Sequence, residues 1–176
     1  GISVFFGNKK GHSSCTDTRP DSLRSAVHAA CAIAKFTAED PYAGLPDADM
    51  LANYFPDLQL DHAINISADE AIERALRCER AALAVDARVK KTDSVSFSSH
   101  RGVRVYGNSL GFCEGVASSR HSMSATMIAE DGQGMQRDWY YTVARDPAGL
   151  YTPEQVGQMA AERAAAEQRQ SPAIGD

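Results

Sequence analysis

Apolar positions repeat along this chain with two different periods. Ile2 to Phe6 is a β-branched and aromatic run, Gly7-Asn8 is a turn signal, and a second short run near His12 to Cys15 completes a strand pair. Leu23, Val27, Ala30 and Ala34 then recur at helical spacing, with Ala26 and Ile33 widening the stripe. Pro20 suits a first helical position, with Asp17 or Thr18 as caps, so a helix is predicted from Pro20 to Phe36. The stretch Asp40 to Ile66 is irregular and holds Pro41, Gly44, Pro46 and Pro56. Its apolar residues Met50, Leu51, Tyr54, Phe55, Leu58 and Leu60 predict that it packs onto the body.

Ser67-Ala68-Asp69-Glu70 is a capping box, and it starts a second helix predicted to run to about Val85. Ile72, Ala75, Leu76, Ala82 and Leu83 form its expected buried stripe, and Glu70 with Arg74 and Glu73 with Arg77 are expected i,i+4 pairs. From Lys91 to Arg145 the period changes to two, in Val95–Ser98, Gly102–Tyr106, Ser122–Met127 and Met135–Val143. Turn clusters at Gly107-Asn108-Ser109, Gly111 to Gly115 and Asp131 to Gly134 separate these runs. Connections this short join antiparallel strands, because a parallel crossover needs about a dozen residues or more. Thr152-Pro153-Glu154-Gln155 opens a last helix, and 171–176 is expected to fray. The fold class is therefore α+β: an antiparallel β-meander packed with two main helices plus a C-terminal helix. The organisation expected is 1–90, with the strand pair, two helices and long loop, followed by 91–176, with the meander and last helix.

Composition narrows the function classes. Apolar residues make up 43% and charged residues 23%, as in a folded globular protein. No run approaches the roughly 18 residues of a membrane span, so no membrane partner is expected. Net charge is −5 and the basic sites Lys9-Lys10 and Lys90-Lys91 are only pairs, which argues against a nucleic-acid partner. The chain opens on Gly1 instead of Met, so the native protein is expected to begin upstream. Cys15, Cys31, Cys78 and Cys113 form no C-x-x-C pair, and reduced thiols in a cytoplasmic location fit best.

Candidate chemistry is sparse. A thermolysin-like zinc site needs H-E-x-x-H, yet none of His12, His28, His62, His100 and His121 has another histidine within four residues. His100 and His121 come from different strand regions that could meet in space. Gly111-Phe112-Cys113-Glu114-Gly115 is a G-x-C-x-G variant of the nucleophile elbow, which raises the alternative of a stand-alone cysteine hydrolase using Cys113. That elbow needs a following helix, whereas Val116 to Ala129 reads as strand, so a tight bend is favoured. Asp131-Gly132-Gln133-Gly134 reads as a hairpin turn. Arg120-His121 and Arg137-Asp138-Trp139 could line a groove on the meander. No catalytic or metal residue is assigned, and the peptide-binding residues stay unknown.

The order of segments carries a resemblance. Phe36 to Leu45, then Ser99-His100 with Gly102, Gly107-Asn108-Ser109 with Gly111-Phe112, Ser119-Arg120-His121-Ser122, Ile128-Ala129-Glu130-Asp131 and Met135-Gln136-Arg137-Asp138 together resemble the PmbA/TldD family, of PmbA/TldE type, known also as modulators of DNA gyrase. Arg19 before Pro20 and the end from Glu167 depart from the pattern. The resemblance implies a fragment of a longer protein. It implies a non-catalytic subunit that forms a heterodimer with a TldD-type partner, in a cytoplasmic metallopeptidase for proteolysis and peptide processing of unfolded peptide substrates. It implies zinc in that partner and no cofactor in this chain, whose role becomes scaffold, partner contact and peptide binding.

Overall fold

A computed structural model of the chain describes residues 1–132 and 134–170. Its elements are β1 (Ile2–Phe6), β2 (Lys9–Ser13), α1 (Pro20–Phe36), α2 (Ala68–Leu83), β3 (Val89–Gly107), β4 (Cys113–Asp131), β5 (Gly134–Ala144) and α3 (Pro153–Gln170). Short 3₁₀ turns lie at Ala48–Met50 and Pro147–Gly149. The class is α+β as expected, but the helices packed on the meander are α2 and the C-terminal α3, while the other main helix, α1, packs on the β1–β2 hairpin. Contacts divide it into two compact units, Gly1–Phe55 with Gly107–Phe112, and Pro56–Tyr106 with Cys113–Asp176. The end at 171–176, expected to fray, lies outside the described residues.

In the first unit β1 and β2 pair antiparallel, from Ile2 opposite Ser13 to Phe6 opposite Lys9. Gly7, at φ +59, takes the first central position of the turn, where a left-handed backbone suits glycine. The hairpin then meets α1 through its smallest residues. A Cβ on Gly11 would lie 2.0 Å from the Ala30 carbonyl oxygen, so only glycine lets strand and helix approach this closely. Accordingly α1 buries Ala26, Ala30 and Ala34. Leu23, Val27 and Ile33, predicted inside, stay partly exposed because bulk at the contact would force the backbones apart. Helix α1 has no side-chain cap. The expected cap Asp17 instead accepts from the Arg19 N–H at 2.9 Å and from the Ser22 hydroxyl at 2.7 Å.

In the second unit the strand order is β3-β4-β5. Strand β4 pairs antiparallel with β5, from His121 opposite Ala144 to Asp131 opposite Gly134. Val95–Ser98 and Gly102–Tyr106, expected as separate runs, are one continuous strand in β3. Every second residue of β4 from Ser119 to Ala129 is buried. That face packs on α2 and α3 through Met123, Ala125, Met127 and Ala129 of the strand, Cys78 and Ala82 of α2, and Val156, Ala160, Ala161, Ala164 and Ala165 of α3. Gly157 lets the helices touch, since a Cβ there would lie 2.2 Å from the Cys78 carbonyl oxygen.

Both predicted capping boxes form. Ser67 and Glu70 bond each other's amides at 2.8 and 3.2 Å, and Thr152 with Gln155 does the same at 2.9 and 3.2 Å. The expected stripe of α2 is kept only in part, at Ala82 and half-buried Ala75. Cys78 and Ala82 are its buried residues, while Ile72, Leu76 and Leu83 are exposed. Its i,i+4 pairs are replaced too. Glu73 pairs with Arg80 at 2.6 Å, Arg77 reaches Glu154 of α3 at 2.8 Å, and Arg74 lies over the Phe97 ring. For Arg77 and Arg74 a tertiary partner outcompetes the neighbour one turn away, because a surface pair within a helix contributes only about 0.5 kcal/mol or less.

Candidate functional site

Alternation along β4 gives the sheet two chemically different faces. The odd-numbered side chains from Ser119 to Ala129 face the helices, so Arg120, Ser122, Ser124 and Thr126 lie on the other face. The β4–β5 register sets Ser124 opposite Tyr141 and Thr126 opposite Trp139. Trp139 and Tyr141 stand 52% and 50% exposed, their ring centroids 5.3 Å apart and tilted by 30°. The hydroxyls of Ser96 on β3 and Ser124 on β4 share a hydrogen bond of 2.9 Å. A hollow of about 480 Å³ lies over this surface, lined by Arg120, Ser122, Ser124, Thr126, Trp139 and Tyr141. One cation, a run of hydroxyls and an aromatic pair can bind a ligand, but they include no general base or nucleophile.

Of the residue groups expected to line a groove, Arg120 and Trp139 do so and His121 does not. His121 is buried at 1% exposure on the helix side, because neighbours in a strand point to opposite faces. Its Nε2 lies 2.8 Å from the His62 carbonyl and its Nδ1 2.9 Å from the Ser99 hydroxyl. A carbonyl only accepts, so Nε2 carries the hydrogen. Ser119 completes a latch. Its amide donates to the Leu60 carbonyl at 2.9 Å, its hydroxyl accepts from the His62 amide and donates to the Arg145 carbonyl, both at 2.8 Å. Two bonds from Arg101 to Asp61, at 2.6 and 2.7 Å, add a charged clasp, and the Arg101 guanidinium holds the Asp61 carboxyl below its usual pKa. Leu60 to His62 is thereby strapped to the start of β4. The rest of the irregular stretch does not pack as predicted. Met50, Tyr54 and Leu58 are exposed, although Phe55 meets Phe112 at 5.9 Å.

Arg137 pairs with Asp93 at 3.3 Å, while Asp138 faces back to Arg163 of α3 at 2.9 Å. The Asp138 carboxylate also accepts the Trp139 backbone N–H at 2.7 Å. His100, which the sequence allowed to meet His121, is exposed and next to Ser99, the residue that holds His121. Cys113 is exposed and opens β4, so a strand and no helix follows it, and the elbow geometry is absent. Gly111, at φ +89, makes the bend that the motif's glycines suggested. All four cysteines are free, and burial pushes the Cys78 thiol up to about 11.

Among the described residues no three His, Cys, Asp or Glu side chains gather as metal ligands. Both His121 ring nitrogens are engaged, His62 Nε2 lies 2.7 Å from the Gln59 carbonyl, and His12 Nδ1 lies 3.0 Å from the Ser3 hydroxyl. No described helix is long and apolar enough to cross a membrane. The latch was the part that sequence reading missed. Its one signal was the alternation itself, which puts Ser119 and His121 on the face that also carries Met123 and Met127.

Residues 61–167 match the sequence pattern of the PmbA/TldA metallopeptidase central domain. Over 163 residues the chain is 47% identical to the Metalloprotease PmbA of Escherichia coli O157:H7, covering 93% of this chain and 36% of that protein. The chain thus spans about a third of the length of this relative. Two solved structures share the fold, each over 93% of this chain. One is a protein described as a modulator of DNA gyrase from Bacteroides thetaiotaomicron, with TM-score 0.82, 22% identity and 38% of its own length covered. The other is TldE from Thermococcus kodakarensis, with TM-score 0.70, 16% identity and 36% covered. The collinear motifs, the meander with its two packed helices and the match over most of the second unit agree, and the chain belongs to the PmbA/TldD metallopeptidase family.

Proposed function

We propose that this chain is the central part of a PmbA/TldE-type subunit that is non-catalytic itself and works in a heterodimer with a zinc-bearing TldD-type subunit. The pair acts in the cytoplasm as a metalloprotease on unfolded peptides, with this chain as scaffold, partner contact and peptide-binding surface. The observation that carries the reading is the 47% identity, over 93% of the chain, to a protein named Metalloprotease PmbA. The histidine chemistry supports the non-catalytic part, since the His121 imidazole is bonded at both nitrogens into a structural latch. The meander supports the peptide part. A main-chain edge binds extended chains with little sequence preference, and one face of this sheet carries polar and aromatic groups while α2 and α3 pack on the other.

The test is co-purification of the full-length protein with a TldD-type subunit, followed by metal analysis of each separated chain. Zinc on the partner together with peptide cleavage by the pair alone is the expected result. Zinc on this chain by itself, or peptide cleavage without a partner, overturns the proposal.

A further inference from the structure

The hollow over the open sheet face combines two features that point to one kind of ligand. At one end is Arg120, exposed, with no carboxylate in ion-pairing range among the described residues. At the other is the aromatic pair, Tyr141 opposite Ser124 and Trp139 opposite Thr126. Between them the wall is neutral hydroxyl, from Ser122, Ser124 and Thr126. Strand β4 rises about 3.3 Å per residue, so Ser124 lies about 13 Å and Thr126 about 20 Å along the strand from Arg120. Those spans match about four to six residues of extended chain.

We propose that this face binds the C-terminal end of an extended peptide. The terminal carboxylate sits on the Arg120 guanidinium, and an apolar side chain about four to six residues earlier lies on Trp139 and Tyr141. The identification rests on the peptide reading above and makes it specific. Arginine offers a planar fork that fits a carboxylate with two parallel bonds, and the aromatic pair offers a flat apolar surface with no charge to repel one. The intervening hydroxyls both donate and accept, so they satisfy backbone groups of a strand without selecting its sequence. No bond is made or broken at this face, which makes it a holding site.

The experiment uses the full-length protein with its TldD-type partner, treated with chelator so that binding is read without turnover. Two fluorescein-labelled peptides are compared by anisotropy, each Phe-Ser-Gly-Ser-Gly-Ser, one with a free carboxylate and one amidated. The acid is expected to bind about tenfold or more tightly, the effect of a single charge-assisted contact. Arg120→Gln should erase the difference between acid and amide, while Trp139→Ala should weaken both forms equally. Equal binding of acid and amide by the unmodified protein overturns the inference, as does a difference that survives Arg120→Gln. Cleavage of unfolded peptides that ignores Arg120, as when the rest of a longer chain covers this face, removes the inference and leaves the proposed function standing. Failure of the metal-loaded complex to bind or cleave any peptide removes both.

Discussion

Ser119 is small, polar and buried, and it serves three different backbone groups. Ser119→Ala keeps the shape but leaves the His62 amide and the Arg145 carbonyl unpaired. A buried unsatisfied group costs about 1–3 kcal/mol, so the unfolding free energy of this variant from urea titration should fall by about that amount while far-UV dichroism stays native. The thiols provide a second residue-scale test. Cys15 and Cys113 are exposed, whereas Cys78 is buried with its pKa pushed to about 11. Iodoacetamide at neutral pH should label Cys15 and Cys113 on the native protein and reach Cys78 only after unfolding, as read by peptide mass mapping. A third concerns Asp17. Hydrogen bonds from the Arg19 side chain and amide, then from Ser22, lower its pKa from 3.8 to about 2. The native carboxyl is the more acidic one, so its contribution is full above the unfolded value and is lost as pH falls from about 4 toward 2. Carboxyl NMR should find its midpoint near 2, moving upward in Arg19→Gln. None of these partnerships could be read from the sequence, because each joins groups through a local bend or across many residues.

Elements were more legible than their contacts. Helix α1 begins at Pro20 and ends at Phe36 as its periodicity predicts, and both capping boxes close. What misled was the weight given to large apolar residues. In α1 the predicted stripe is the right face but only its alanines, Ala26, Ala30 and Ala34, are buried, with Leu23 and Val27 at its margin. In α2 Ile72 and Leu76 mark the wrong face, because the closest approaches run through small residues, which a hydrophobic pattern undervalues. Gly157→Ala tests this directly. Glycine inside a helix ordinarily costs roughly 1 kcal/mol against alanine, so on propensity alone the change should stabilise α3. Here the new Cβ would meet the Cys78 carbonyl at 2.2 Å, and overpacking of that kind typically costs about 1–3 kcal/mol. The melting temperature should therefore drop. The strap is the other element-scale device. In Arg101→Ala, hydrogen exchange should quicken at residues 60–62 while α2 and α3 keep their protection, since only the clasp to Asp61 is opened.

At the scale of the whole molecule the two compact units differ in what holds them. The first has a two-stranded hairpin and one helix joined through alanines, with Phe36 and Tyr42 almost fully exposed. The second places methionines, two valines and a row of alanines between a three-stranded sheet and two helices. Burial of apolar area is the main favourable term in folding, and an isolated two-stranded hairpin is at best marginal in water. On warming, amides of β1, β2 and α1 should exchange before those of β4 and α3, which hydrogen-exchange mass spectrometry can resolve by segment. The α+β class and the meander were legible in the sequence because two-fold and helical periods are whole-element signals. The division at Phe55 was not, since no composition shift marks it and the tip Gly107–Phe112 belongs with the first unit despite its distance along the chain.

The row of alanines in α3 has one more effect. A methyl group has no torsion to freeze, so bringing α3 onto the sheet sacrifices almost no side-chain freedom there. By the same token it has no alternative pose with which to absorb an error. A contact made this way is cheap to assemble and nearly impossible to repack, and the spacing between backbones, more than the identity of any bulky residue, is what the sequence along this helix has to preserve.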